Sequence, residues 1–263
     1  MVVVPVDEPD PRFASEEAFL AAYDGSVFPR PSLAVDVVLM CVTGGVLQVR
    51  LVRRAQHPFA GSWTLPGTFV GIAEDLPEAA ERVLRDKLGL DGVAVEAFRT
   101  FGAPGRDPRT RIVTVAHLAL IPEAVGGLAA GRWAEVEVPW DADEGGEVRV
   151  RADGAELPVG FDHALIIGGA IAHVRRLLGE TGPRPPGVLG VAEPLLPAMF
   201  TLRTVQAIHE ALVGHGVNKD SFRRKILAEG RLEATGERES AVGHRPAELY
   251  RFGPVPGGSS HGG

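Results

Sequence analysis

The chain has 263 residues, of which 45% are apolar and 23% are charged, and its net charge is −7 with a single cysteine. These values are typical of a globular protein and exclude a fully disordered or fibrous chain. No apolar run is long enough to span a bilayer, and the first residues lack the basic and apolar segments of a signal peptide. We therefore expect a cytoplasmic protein without a membrane partner, with two domains as the most natural division of this length.

The first 30 residues are an acidic, proline-rich extension in which Ser15 predicts the start of one short helix. From residue 31 the pattern predicts paired strands at LAVDVVLMCV and VLQVRLVRR, joined by a turn at Gly44 and Gly45. Cys41 lies in the first of these runs and is expected to be a buried strand residue. A helix follows from about residue 76 to residue 88 and ends at Gly89.

Two more strands, VAVEAFRTFG and RIVTVAHLALI, and a helix at FDHALIIGGAIAHVRRLL complete the first domain. This order of strands and helices predicts an α/β or α+β sandwich over residues 31–180. Five prolines then fall within residues 181–198, a density that predicts an irregular connection between domains.

Residues 199–252 predict a second, smaller domain. The periodic segment TLRTVQAIHEALVG is followed by a short turn, and a second helix begins at Asn218 and ends at Gly230. Two strand candidates, RLEATGE and AELYRF, then form a β-wing, so the arrangement is a winged helix-turn-helix. The final segment, residues 253–263, is predicted to be disordered.

The charge is distributed unevenly between these domains. Residues 199–252 contain nine Lys and Arg against seven Asp and Glu, a net charge of +2, so the rest of the chain carries −9. The overall negative charge therefore does not exclude nucleic-acid binding by the second domain.

The second helix of the helix-turn-helix has a basic face, as expected of a helix that enters the major groove of double-stranded DNA. We predict contacts with bases or the groove from Lys219, Ser221 and Arg223, contacts with phosphates from Arg224 and Lys225, and contacts from Arg238, His244 and Arg245 at the wing. The alternative is an amphipathic helix that binds another protein.

Residues 65–90, LPGTFVGIAEDLPEAAERVLRDKLGL, resemble the Nudix box, whose pattern is G-x5-E-x7-R-E-U-x-E-E-x-G-U with U aliphatic. Glu74 and Arg82 match the first glutamate and the arginine of that pattern. The three acidic positions of the catalytic core are instead Val83, Asp86 and Lys87. At i, i+3 and i+4 they are expected to share one helix face, where their charges sum to zero.

An uncharged face is a poor site for Mg²⁺, which Nudix enzymes use to neutralise a diphosphate. We therefore assign no catalytic residue and no metal site, and expect hydrolysis to be lost. The alternative is an active ADP-ribose pyrophosphatase with a shifted metal site that uses Glu74, Asp86 and another carboxylate.

Resemblance to Nudix domains also implies a pocket for a nucleoside diphosphate. Arginine forks suit phosphate oxygens and an aromatic face suits a purine, so ADP-ribose is a reasonable ligand. The candidate residues are Arg53, Arg54, Trp63, Phe101, Arg109 and Arg111. No cofactor is expected apart from such an effector.

The order of segments over roughly residues 23–252 resembles the family of Nudix-related transcriptional regulators. These segments include WTLPGTFV, TFGAPGRDPRTRIVTVAHLAL, SFRRKIL and RPAELYRF. The resemblance implies a homodimeric repressor that binds a palindromic operator and is released by ADP-ribose or a related nucleotide. It also implies target genes for NAD synthesis or salvage, although some members control sugar catabolism instead.

Overall fold

The computed structural model describes residues 13–123, 130–140, 145–179, 187–239 and 246–253, and the chain forms two compact units, residues 1–31 and 32–263. The first unit contains helix α1 (Glu16–Ala22), followed by a 3-10 turn at Gly25–Val27. The side chain of Ser15 accepts a hydrogen bond from the backbone N–H of Ala18 at 3.1 Å, which confirms the predicted helix start.

Nine strands of the described residues form one mixed sheet in the second unit. The strands are β1 (Ser32–Thr43), β2 (Val46–Arg53), β3 (Trp63–Thr64), β4 (Gly67–Phe69), β5 (Glu96–Phe101), β6 (Ile112–Leu120), β7 (Arg132–Glu137), β8 (Arg149–Ala152) and β9 (Ala155–Glu156). Their order is β5-β6-β1-β2-β7-β8-β9, with β3 paired to β2 and β4 paired to β1. β1 and β6 are parallel, whereas β1 and β2 form the predicted antiparallel hairpin.

Strand β1 lies at the centre of this sheet and is buried on both faces. Val37 and Cys41 face a cluster that includes helix α2 (Leu76–Val83), whereas Val38 and Met40 face helix α3 (His163–Gly179) on the opposite side. An almost continuous apolar run is what burial on both faces requires. The sheet therefore lies between two helices, and Cys41 is buried as predicted.

Helix α2 (Leu76–Val83) begins with a capping box between Asp75 and Glu78 and continues as a π-helical segment, Leu84–Leu88. Gly89 ends it with a φ of 70°, a left-handed conformation that favours glycine. The predicted helix is confirmed, but its last five residues follow the wider π-helical turn.

Helix α3 (His163–Gly179) leads to α4 (Gly187–Ala192) and a 3-10 turn (Glu193–Leu195). The predicted irregular connection over residues 181–198 is therefore wrong for residues 187–195. Pro194 lies in the first turn of the 3-10 helix, where proline's missing N–H costs no hydrogen bond. Val188 and Leu189 are buried in the same core as α3.

The helix-turn-helix consists of α5 (Leu202–Val213) and α6 (Lys219–Ala228), and the wing consists of β10 (Leu232–Arg238) and β11 (Glu248–Phe252). The side chain of Asn218 accepts from the backbone N–H of Ser221 at 3.0 Å, as predicted for a cap. His244 and Arg245, which were predicted to make contacts at the wing, lie outside the described residues, and so do residues 254–263 of the predicted disordered segment 253–263. None of the helices in the described ranges is long and apolar enough to cross a membrane.

Candidate functional site

A cavity of about 460 Å³ opens beside the central strands, between the loop after β2, the β5–β6 loop and the start of α3. Of the six predicted ligand residues, Arg53, Arg54 and Arg109 line it. The other residues that matter for its chemistry are Asp36, Gly67, Phe69, Lys87, Arg106, Asp107, Phe161 and His163.

The structure places the other three predicted ligand residues elsewhere, which corrects that part of the prediction. Phe101 ends β5 with its ring buried in the core below α3, because alternation along the strand turns it inward. Trp63 packs against the core, and the Arg132 guanidinium lies 5.5 Å from its ring. Arg111 donates to the backbone carbonyls of Ala103 and Ile112.

The innermost wall of the cavity is a buried ion cluster. Arg106 donates to both carboxylate oxygens of Asp162, at 2.8 and 2.7 Å, and to Asp36 at 3.4 Å, and only 5% of its side chain is exposed. Burial alone would lower the pKa of Arg106, but the two carboxylates raise it by more. The sequence carried one signal for this cluster, since Asp36 interrupts the apolar run of β1.

His163 joins this cluster to the start of α3. Its Nδ1 accepts the backbone N–H of Leu65 at 2.8 Å, and its Nε2 lies 3.7 Å from Asp36. Because the ring is buried, its pKa is lowered from the ordinary value. The imidazole is therefore neutral, and its proton is on Nε2, toward the carboxylate.

Arg109 is held at the opposite side of the cavity by Asp107, through two hydrogen bonds of 3.0 and 2.7 Å. These hydrogen bonds are the main reason that the pKa of Asp107 is lowered. The Arg109 guanidinium also lies 5.8 Å from the ring centres of both Phe69 and Phe161. The pairing fixes the guanidinium between two aromatic rings while 43% of the arginine side chain remains exposed.

Three cations of the cavity have a different environment. Arg53, Arg54 and Lys87 hydrogen-bond only to backbone carbonyls, and no carboxylate of the described chain lies within ion-pair distance of them. None of the three therefore forms an ion pair with a described carboxylate, whereas Arg106 and Arg109 do. Asp36 acts on Lys87 only at longer range. Such a cavity is suited to an anion that carries more than one negative charge.

The framework of the Nudix box is present in the structure. Arg82 donates to both oxygens of Glu74, at 2.6 and 2.8 Å, and also to the carbonyl of Phe69 at 3.1 Å. The hydrogen bond from Arg82 lowers the pKa of Glu74 to about 2. This pair joins α2 to the loop that follows β4.

The three degenerate positions of the box do not share a face, contrary to the prediction from helical spacing. Val83 is buried against the sheet, Asp86 is exposed beside Arg85, and Lys87 reaches the carbonyl of Gly67. Because a π-helical segment begins at residue 84, the side chains of Asp86 and Lys87 point in a different direction from that of Val83. Within the described ranges, no group of three or more His, Cys, Asp and Glu side chains could hold a metal ion.

The predicted DNA-contacting residues of α6 are all exposed, while Phe222 and Ile226 on its other face are buried. Four of these predicted residues are basic: Lys219, Arg223, Arg224 and Lys225. None of the four lies within ion-pair distance of a described carboxylate. The helix therefore presents a mainly basic surface to solvent, in which Asp220 is the one exposed acidic residue between Lys219 and Ala228.

A groove of about 390 Å³ between α5, α6 and the wing extends this surface. Its cations are Lys219 and Arg223 of α6, Arg238 of the wing and Arg203 at the start of α5, and Glu239 and Glu248 line the side toward the wing. Arg203 was missed in the sequence because it precedes the basic helix by more than a dozen residues. Only the fold brings it beside Lys219.

Comparisons with known proteins divide the chain in the same way. Residues 31–146 match the NUDIX domain model, and residues 193–252 match that of the NrtR DNA-binding winged helix domain. The predicted fold class, a Nudix-like sandwich followed by a winged helix-turn-helix, is confirmed.

One relative is the ADPR responsive transcriptional repressor NtrR of Acinetobacter baylyi, 34% identical over 248 residues, which cover 92% of this chain and 90% of the relative. A MutT/nudix family protein from Enterococcus faecalis has a TM-score of 0.67 at 26% identity, covering 91% of this chain and 94% of its own. Shewanella oneidensis NrtR, crystallised with a 27mer DNA, has a TM-score of 0.63 at 29% identity, covering 84% and 93%. This chain therefore belongs to the NrtR family and joins that family's winged helix domain to a Nudix domain.

Proposed function

We propose that this protein is a transcriptional repressor that binds operator DNA and releases it when ADP-ribose or a related nucleotide occupies the Nudix cavity. The observation that carries this proposal is the presence, in one compact unit, of a cationic cavity and a solvent-facing basic helix beside a wing. The relative from A. baylyi is named for the same response.

On the DNA side, α6 has ten residues and is therefore about 15 Å long, which suits insertion into the major groove. Lys219, Ser221 and Arg223 occupy its N-terminal half, where recognition helices contact base edges. Arg224 and Lys225 are placed for phosphate contacts. Arg238 of the wing and Arg203 of α5 would hold the adjacent backbone.

On the effector side, the cavity volume falls within the range of about 300–1,000 Å³ that is usual for small-molecule sites. Arg53, Arg54 and Arg109 would bind the diphosphate. Phe69, which is exposed at the cavity, offers a face on which a base can stack.

The proposal includes loss of hydrolysis. A hard divalent cation needs several oxygen ligands, and the three box positions supply one exposed carboxylate, Asp86, which is paired with Arg85. An ADP-ribose pyrophosphatase is the alternative. Release of AMP from ADP-ribose at ordinary enzyme rates in Mg²⁺ would establish it.

The decisive experiment is a mobility-shift assay on the upstream and neighbouring intergenic DNA of the gene, with and without ADP-ribose. We expect a specific shift that ADP-ribose reverses. Absence of any specific shift would contradict the proposal. Arg223→Glu with Arg224→Glu should abolish the shift while ADP-ribose still raises the unfolding temperature. Loss of both responses would point to misfolding instead.

The oligomeric state, the target genes and the location are further parts of the proposal. We propose a homodimer on a palindromic operator that controls NAD synthesis or salvage genes in the cytoplasm. Footprinting should show two half-sites about one helical turn apart, and sedimentation should show a dimer. Protection of sugar-catabolism promoters would favour the other branch of the family.

A further inference from the structure

Lys87 occupies a position at which the Nudix pattern has an acidic metal ligand, and the structure shows where its amine is directed. Nζ donates a hydrogen bond to the carbonyl of Gly67, and the side chain lines the cavity together with Arg54 and Asp36. Gly67 itself must be a glycine, because a Cβ would lie 2.8 Å from the carbonyl of Val35. The carbonyl that holds Lys87 is therefore fixed by close packing against β1.

The cavity offers no free carboxylate among its lining residues that could bind an added cation near Lys87. Both carboxylates that line it are already partnered, Asp36 by Arg106 and Asp107 by Arg109. A divalent ion near Lys87 would meet an ammonium group and the unpaired guanidinium groups of Arg53 and Arg54. The residues therefore do not fit the metal that this fold family implies.

We propose that the ammonium group of Lys87 takes the place of that metal ion, binding the diphosphate of the effector directly, so that effector binding needs no Mg²⁺. This inference rests on the proposed function of the cavity as a nucleotide site. It adds Lys87 to Arg53, Arg54 and Arg109, the cavity cations that the proposed function assigns to the diphosphate.

The chemistry of an ammonium group suits this role. It has three donors, of which one is used by Gly67, so two remain for phosphate oxygens. The hydrogen bond also restrains a long side chain before the ligand arrives, which reduces the entropy lost on binding. Partial burial lowers the pKa of Lys87, and a bound phosphate would oppose that shift.

The same substitution separates binding from hydrolysis. In a metal-dependent site one ion both neutralises the diphosphate and activates water. An ammonium group can supply the positive charge but has no coordination position for water. A protein that must sense a nucleotide without consuming it would keep the first property and lose the second.

The test is titration calorimetry of the full-length protein with ADP-ribose, in EDTA and in millimolar Mg²⁺. We expect the same affinity, within about twofold, in both conditions. Lys87→Met should weaken binding by about tenfold or more in both, and Lys87→Arg should restore most of it. Arg85→Met, which removes a neighbouring exposed cation outside the cavity, is the matched control and should bind like the wild type.

Lys87→Glu is the most informative variant, because it restores a carboxylate at the metal position. It should bind poorly in EDTA and regain affinity in Mg²⁺. A wild-type protein that binds ADP-ribose only in Mg²⁺, or a Lys87→Met variant with unchanged affinity, would overturn the inference while leaving the repressor proposal intact. No binding in either condition, together with no release of DNA, would overturn both. Unfolding temperatures near the wild-type value would show that the variants are folded.

Discussion

The cavity and helix α6 use the same side chains for the same kind of partner, a phosphate group, but they hold them differently. In the cavity, Arg106 is buried between two carboxylates and Arg109 is clamped by one. On α6, Arg224 and Lys225 are exposed, with no described carboxylate within ion-pair distance. Cations that converge on a small cavity suit one small anion, whereas exposed cations along a helix suit a long polyanion.

The difference has an energetic side. Binding in the cavity depends on directed hydrogen bonds from charged donors to a charged acceptor, which are stronger than those between neutral groups. Binding at α6 depends on counterions released from DNA, which is weakened by salt. Because Arg106 is buried between two carboxylates, folding stability should depend strongly on it and hardly at all on the exposed cations of α6.

The largest effect is expected from Arg106→Met. It leaves Asp36 and Asp162 as buried carboxylates without their partner, and breaking a buried ion pair from one side costs about 3–5 kcal/mol. Urea unfolding should show this loss. The matched control is Arg53→Met, which removes an exposed cation of the same cavity with no described carboxylate within ion-pair distance and should change the free energy of unfolding by less than about 0.5 kcal/mol. Equal losses would show that the ion cluster does not stabilise the fold as described.

A second prediction concerns the buried face of helix α2. Val83→Glu restores an acidic residue of the Nudix pattern, but Val83 is only 1% exposed and packs against β1. Burying a carboxylate there should lower the free energy of unfolding by about 2–3 kcal/mol. Asp86→Glu, at an exposed position of the same pattern, should change it by less than about 0.5 kcal/mol. A Val83→Glu protein that is as stable as the wild type and binds Mg²⁺ would contradict this prediction, because it would mean that residue 83 shares an acidic face with residue 86.

Local features of the fold could be predicted from the sequence because each has a local physical cause. Ser15 and Asn218 start helices since their side chains accept backbone N–H groups, and Gly89 ends one since it adopts a left-handed conformation. The wing followed from two short strands at the expected spacing. The same reasoning failed at residues 187–195, where prolines predicted a connection but Val188 and Leu189 supply apolar surface that is buried.

The candidate site was harder to predict because its residues come from distant segments. Arg106 meets Asp36 and Asp162 across 70 and 56 residues, and such contacts leave no periodic pattern. Arginine content near the Nudix box identified Arg53, Arg54 and Arg109 as cavity residues but could not exclude Arg111, which faces the backbone. The sequence shows only that Lys87 stands where the Nudix pattern has an acidic residue. Its position in the cavity is what suggests that its ammonium group replaces the metal ion.

A third prediction returns to α6. Arg224→Gln removes one exposed charge that the proposed complex sets against a phosphate. The slope of log affinity for DNA against log salt should become shallower by about 1. Folding stability should stay within about 0.5 kcal/mol of the wild type, since Arg224 makes only a 3.4 Å hydrogen bond to Ser221. An unchanged slope would remove Arg224 from the phosphate contacts, and ADP-ribose affinity should be unaffected throughout.

The smallest expected effect concerns the pH dependence of stability and compares one histidine in each region. His163 in the cavity wall has partners for its ring nitrogens, whereas Nδ1 of His209 in α5 is buried with no hydrogen-bond partner among the described residues. The His209 ring lies 5.2 Å from that of Phe222 of α6. Burial lowers the pKa of His209; Lys225 and His215 lower it further, and Glu210 opposes them.

The direction of the pH effect on folding stability depends on whether the folded or the unfolded state binds the proton more tightly. Because the pKa of His209 is lower in the folded protein than its ordinary value of 6.5, the unfolded state takes up a proton first as the pH falls. The free energy of unfolding should therefore be highest above pH 6.5 and decrease below it. The effect arises where α5 packs on α6, because His209 lies in that contact. His209→Phe keeps an aromatic ring against Phe222 and removes the titration, so its unfolding temperature should fall less than that of the wild type between about pH 7.5 and about pH 5.5. His163 titrates in both proteins and cancels in the comparison, so an equal fall in the two would mean that His209 does not contribute to the acid sensitivity of the winged helix.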